Sequence, residues 1–211
     1  MAESTADTAQ IDASEEAEKA LAKDRANMKK IGTWHAAAVV AALTLFGAAH
    51  TWAQVSDWLL AGLVSIAAAF VAAMVLASIG HEWGHFAGAR LSGAVSPVLE
   101  KPYRLFFMFR FDMQQNSVSQ ALALSWGGIL ASWGLVVLML LLVPMDSWAS
   151  AVLVATLLGR AINASVFEVP VVIRTRRTGE FETELNAQLE SPGIVKLPGL
   201  VVGAVALLLL V

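Results

Sequence analysis

Five stretches of this chain are too long and too apolar for water to be the solvent of all of them: about 33–52, 58–91, 118–143, 148–173 and 198–211. A helix rising about 1.5 Å per residue needs roughly 20 such residues to cross the hydrocarbon layer of a bilayer. The first four stretches reach that length, and the last reaches it once residues 194–197 are added. With 57% of its residues hydrophobic and 15% charged, a 211-residue chain carries more apolar sequence than a soluble core needs. The expectation is an all-α polytopic membrane protein with about five transmembrane helices, divided into a charged tail (1–30) and a membrane domain (31–211).

The tail differs in kind from the rest of the chain. Residues 1–11 are small, polar and acidic, and Asp12 and Glu15 are spaced as a capping pair that opens a helix-like charged stretch up to Lys30. It reads as a solvated tail and not as a cleaved signal, because a long acidic segment precedes the basic residues and no small-residue cleavage site comes after them. The chain has no cysteine, which excludes disulfides and thiolate metal sites and leaves histidines and carboxylates as the only metal ligands. A net charge of -3 without a basic stripe gives no sign of nucleic-acid binding. Of the 14 Lys and Arg, all but Arg160 lie in the tail, between Arg90 and Arg110, or between Arg174 and Lys196. The positive-inside rule puts those three regions, and the N-terminus, in the cytoplasm of what is expected to be a prokaryotic plasma membrane. Trp52, Trp58 and Trp148 then mark the outer boundary and Trp34 the inner one.

Near the inner end of the second apolar stretch stands His81-Glu82-Trp83-Gly84-His85. Helical residues at i and i+4 share a face, so His81 and His85 can hold one zinc ion, with Glu82 beside them as general base for a water. The pattern alone is moderately specific, and its bland reading is a solvated helix turn; three ionisable groups within five residues of a membrane span weigh against that. Depth selects a third ligand. His81 lies roughly 35 Å along a helix running inward from Trp58, and Glu168 roughly 32 Å along one running inward from Ser147. Glu168 is therefore the carboxylate best placed to complete a site of two histidines and one acid, with Pro170 beside it removing a helical hydrogen bond. Asp112, Glu180, Glu182, Glu184 and His35 remain rivals, and an interfacial Glu168 near the Arg174 to Arg177 cluster is the bland alternative.

The run His81-Glu-Trp-Gly-His-Phe-Ala-Gly-Ala-Arg-Leu-Ser-Gly93 resembles the HELGHFxxARxxG signature of the site-2 proteases, intramembrane zinc metalloproteases. The resemblance covers a core of about 58–173. It implies a membrane-associated β element after the metal helix, then a helix with a Gly-Pro-Leu-x-Asn segment, whose place is taken here by Gly128-Ile-Leu-Ala-Ser132. It also implies a last core helix with an Asn-x-x-Pro-x-Pro-x-Leu-Asp-Gly run, where this chain has Asn163-Ala-Ser-Val-Phe-Glu168-Val-Pro170 and Val171 at the position of the Asp.

Between the second and third helices, Tyr103, Leu105, Phe107, Phe109 and Phe111 alternate with Arg104, Phe106, Met108, Arg110 and Asp112, a period-two pattern that predicts an interfacial strand or short hairpin. An exposed strand edge offers hydrogen bonds to an unwound transmembrane substrate. Gly80, Gly84 and Gly88 on one helix, and Gly127, Gly128, Ala131 and Gly134 on the next, suit close backbone packing. Arg160, two helical turns from Glu168, faces the same side and can pair with it or stabilise charge in the site. Two functions emerge as expectations. One is a zinc-dependent intramembrane endopeptidase acting on transmembrane segments of membrane-protein substrates. The other, favoured by the missing Asp-Gly pair and Asn, is a noncatalytic protease-like subunit that serves a membrane complex partner.

Overall fold

The computed structural model describes residues 2–56, 58–103, 107–190 and 192–210, with side chains described from Ser14 onward and, in the last helix, from Leu197. Among them, four helices are long and apolar enough to cross a membrane, and the protein is an integral membrane protein. Leu59, Leu130, Leu141 and Leu209 stay well exposed, as lipid-facing residues do.

The first helix, α1, runs unbroken over Ala2–Val55. The division at residue 30 is thus not an element boundary, and Asp12 opens no helix. The reason is local: residues 14–30 are rich in Ala, Glu and Lys, good helix formers, and Glu15 pairs with Lys19 one turn later at 3.4 Å. Nothing between Lys30 and Trp34 stops the helix before the apolar stretch begins.

The second helix, α2 (Leu59–Leu91), is the centre of the bundle and touches α1 and two later helices, α3 (Val118–Leu142) and α4 (Trp148–Thr178). Its alanines make this possible: Ala61, Ala69, Ala72 and Ala73 are fully buried, and neighbouring helices pack on them with Leu76, Leu153 and Leu157 in the core. Gly93, at φ 75°, ends α2, with the Ala94 amide donating to the Ala89 carbonyl at 2.9 Å in a Schellman closure. The last glycine of the His81 to Gly93 run is a helix stop.

A two-stranded antiparallel hairpin comes next, β1 (Val98–Tyr103) and β2 (Phe107–Phe109), with Val98 opposite Phe109. The alternation from Tyr103 to Asp112 is therefore split between two strands, and Arg104, Leu105 and Phe106 lie outside the described residues. Phe109 packs on Phe86 at 5.4 Å between centroids, and Met108 on the opposite face is equally buried, while Arg110 on that face stays exposed. Ser117 and Gln120 form a capping box at the start of α3, and the Ser117 hydroxyl accepts the Gln120 amide.

The fourth helix passes through Pro170 and ends only at Thr178, five residues beyond the expected Ile173, where Gly179 (φ 78°) stops it. A short helix, α5 (Phe181–Leu189), was not expected; Arg174 fastens it by donating to Glu184 at 2.7 Å and to Gln188 at 2.8 Å. The last helix, α6 (Pro192–Leu210), corrects the span count. Its described apolar stretch, Leu197–Leu210, covers only about 21 Å at 1.5 Å per residue, short of the ~30 Å hydrocarbon layer. It leans instead on α4, where Gly199 meets Gly159 and donates its amide to Asn163 at 3.0 Å.

Candidate metal centre

The helical repeat puts His81 and His85 one turn apart on α2, with ring centroids at 4.4 Å and Nε2 atoms at 3.0 Å. Glu168 reaches them from α4: its Oε1 lies 3.0 Å from His81 Nε2 and 3.4 Å from His85 Nε2. Equal depth along two helices that both run inward, the property that selected Glu168, brings together side chains from distant parts of the sequence. His81, His85 and Glu168 are the one group among the described residues whose donor atoms converge in this way, all within 4.8 Å of one another.

The rivals are occupied elsewhere. Asp112 accepts the Gln114 amide, Glu184 binds Arg174, and His35 accepts the Trp83 indole N–H at 3.0 Å through its Nδ1. Glu180 and Glu182 belong to the α4–α5 junction, and Glu182 lines a cavity wall without joining the group. Arg160 forms no pair with Glu168, whose Oε1 is taken by the two imidazoles.

Groups that sequence reasoning passed over come from α3. His85 Nδ1 donates to the Leu124 carbonyl at 2.9 Å; His81 Nδ1 lies 3.2 Å from the Gly128 carbonyl and 3.0 Å from the Ser132 hydroxyl. A proton held on each Nδ1 by these oxygens leaves Nε2 with its lone pair. Two nitrogen lone pairs and a carboxylate oxygen then point at one spot, an arrangement that a proton or a cation between them stabilises. The spacing suits zinc. Tetrahedral ligands bound at about 2.0–2.1 Å sit roughly 3.3 Å apart, against 3.0 to 3.4 Å here. Serine and two carbonyls could have been anticipated only by asking what each second imidazole nitrogen binds.

Glycine makes the approach possible. A Cβ on Gly128 would collide with the His85 ring, and one on Gly84 would fall 2.5 Å from the Gly127 carbonyl, so α2 and α3 meet backbone to backbone behind the histidines. Gly88 meets Ala123 in the same way, whereas Gly80 and Gly134 play no such part.

Glu82 stands beside the three ligands, and its Oε2 is buried without a hydrogen-bond partner among the described residues. Together with His85 and Glu168 it lines a cavity of about 540 Å³ that extends to Phe107, Phe109 and Phe111 of the hairpin region. No family model matches this chain, nor does any curated protein or solved structure. The chemistry open to the site is set by its own geometry.

The hairpin is held by α1. Asp24 accepts the Val98 amide at 2.7 Å and pairs with Arg90 at 2.7 Å, while Asn27 donates to the Val98 carbonyl at 3.0 Å. The outer edge of β1 is thus partly bonded to a helix. The outer edge of β2, whose Phe107 and Phe109 line the cavity, has no strand partner among the described residues.

Proposed function

We propose that the protein is a zinc-dependent intramembrane endopeptidase of the site-2 protease kind. The observation that carries this reading is the convergence of His81, His85 and Glu168 within 4.8 Å, beside a buried carboxylate oxygen without a partner among the described residues and a cavity lined in part by the hairpin. Zinc bound there supplies a Lewis acid that lowers the pKa of a water. Glu82 would serve as the proton carrier of the hydrolysis, accepting a proton from the attacking water and passing it to the leaving amine. The α3 oxygens keep both imidazoles in the tautomer that leaves Nε2 free. The β2 edge supplies hydrogen bonds to a substrate helix once it is pulled into extended form. Purified protein in liposomes is expected to cut some members of a panel of single-span peptides, to lose that activity to a zinc chelator and to regain it with added zinc. Cleavage indifferent to chelation would overturn the zinc reading.

A noncatalytic role in a membrane complex is the second reading, and one observation favours it: residues 128–132 lack the Pro and Asn, and 163–171 the Asp-Gly pair, of the resembled family. Bound zinc without cleavage of any panel member would support it.

The distribution of Lys and Arg orients the chain with α1's charged end, the hairpin and α5 in the cytoplasm. Single cysteines replacing Glu100 or Thr178, both exposed, should react with a membrane-impermeant thiol reagent only from the cytoplasmic side, and Asp146→Cys only from the other. Labelling of Thr178→Cys from outside would invert the topology.

A further inference from the structure

Among the described residues nothing neutralises the charge of Arg160. Its side chain is exposed, makes no hydrogen bond or ion pair among the described residues, and borders two cavities. Along α4 it lies about 18 Å from Trp148 and about 21 Å from Arg174, near the middle of the hydrocarbon layer and too deep for its stem to carry the guanidinium to either surface. A cation at that depth is costly and faces water or an anion.

The cavities say where the anion comes from. One, of about 230 Å³, contains Arg160 together with His81, Ser132, Asn163 and Glu168. The larger cavity containing Glu82 shares Phe167 and Glu168 with it, and each cavity takes in one of the two histidines. A peptide extended along β2 and past Glu82 continues toward Arg160. Eight residues of α4, about 12 Å, separate Arg160 from Glu168, and an extended chain advancing about 3.3 Å per residue covers that distance in three to four residues.

We propose that Arg160 is a specificity residue that binds a substrate carboxylate, from an acidic side chain or a chain end, three or four residues from the scissile bond on the side away from β2. This rests on the protease reading above. A carboxylate there neutralises two charges that are each unfavourable alone in hydrocarbon, and the guanidinium fork suits its geometry.

Peptide hydroxamates test the idea, because the hydroxamate fixes one peptide end on the metal. Two series cover the two possible chain directions, one with the hydroxamate at the C-terminus and one at the N-terminus. Each carries Asp or Asn at the third or fourth residue. The second series is also made with a free or an amidated C-terminus at that position. In one series the acidic member should bind the zinc-loaded protein at least about tenfold tighter than its neutral twin, the scale of one charge-assisted hydrogen bond. Arg160→Gln should bind both alike and Arg160→Lys should keep part of the difference. A gain confined to the free C-terminus assigns the chain end as the source. Zinc content of each variant reports whether the site is intact. Zinc-dependent binding with no acidic preference in either series overturns the inference and leaves the metal centre standing, as does a preference that survives in Arg160→Gln. Failure of every hydroxamate to bind, with no zinc present, removes the protease reading and this inference with it.

Discussion

Purified protein should carry close to one zinc per chain, and His81→Ala or His85→Ala should remove it without changing the helical content. Each imidazole contributes one of three converging donors, and loss of either leaves two, too few to hold the ion against water. The helix survives because α2 is anchored by buried alanines more than two turns away from the histidines, Ala61 to Ala73. Glu168→Gln removes the negative charge from the third position and should lower affinity by more than the roughly 10–100-fold that changes behind the ligands usually cost. Glu168→Asp keeps the carboxylate on a shorter stem and retains some binding. The double change Arg160→Met with Glu168→Met loses metal as Glu168→Gln does, because the two residues form no pair whose removal is neutral. Zinc stoichiometry by elemental analysis checks each variant, and full occupancy without His81 or without Glu168 would take that residue out of the centre.

The positions of His81, His85 and Glu168 were legible in the sequence because two regular facts carried them: the i, i+4 repeat of a helix and the rise per residue along two spans that both run inward. Depth is a one-dimensional quantity, and a bilayer fixes its origin. The groups that lie across the bundle at the same depth are not fixed in this way. The carbonyls of Leu124 and Gly128 have no sequence signature as acceptors, and Arg160, at the correct angular position to meet Glu168, is left unpaired because the imidazoles hold the carboxylate. The helix ends divide along the same line. Gly93 and Gly179 stop α2 and α4 at positive φ, a local signal, whereas the continuation of α1 through residue 30 depends on the absence of any stop. The hairpin was half legible: alternation marks β structure, but it does not reveal the reversal between Tyr103 and Phe107. Hydropathy overcounted the spans at α6, which packs on α4 through Gly199 and Gly203 and whose described apolar stretch, Leu197–Leu210, is too short to cross.

Glu82→Gln should keep zinc and lose cleavage, by roughly 10²–10⁴-fold in rate, the usual contribution of a positioned proton acceptor. Glutamine has nearly the same shape as glutamate, so the lining of the cavity is preserved, but its amide cannot take a proton from water and return it to an amine. The change should not cost stability. Glu82 Oε2 is buried without a partner among the described residues, and a lone carboxylate in that position is unfavourable in hydrocarbon, so a neutral amide holds the thermal midpoint or raises it. A residue kept for folding would give the opposite result, with stability falling and zinc lost along with it. Three measurements on one variant therefore divide the readings. Zinc retained, stability kept and cleavage lost identifies Glu82 as the base of a protease. Cleavage at the rate of the unmodified protein moves the base elsewhere, and cleavage by neither protein, with zinc bound to both, leaves the membrane-complex reading as the better account of the site.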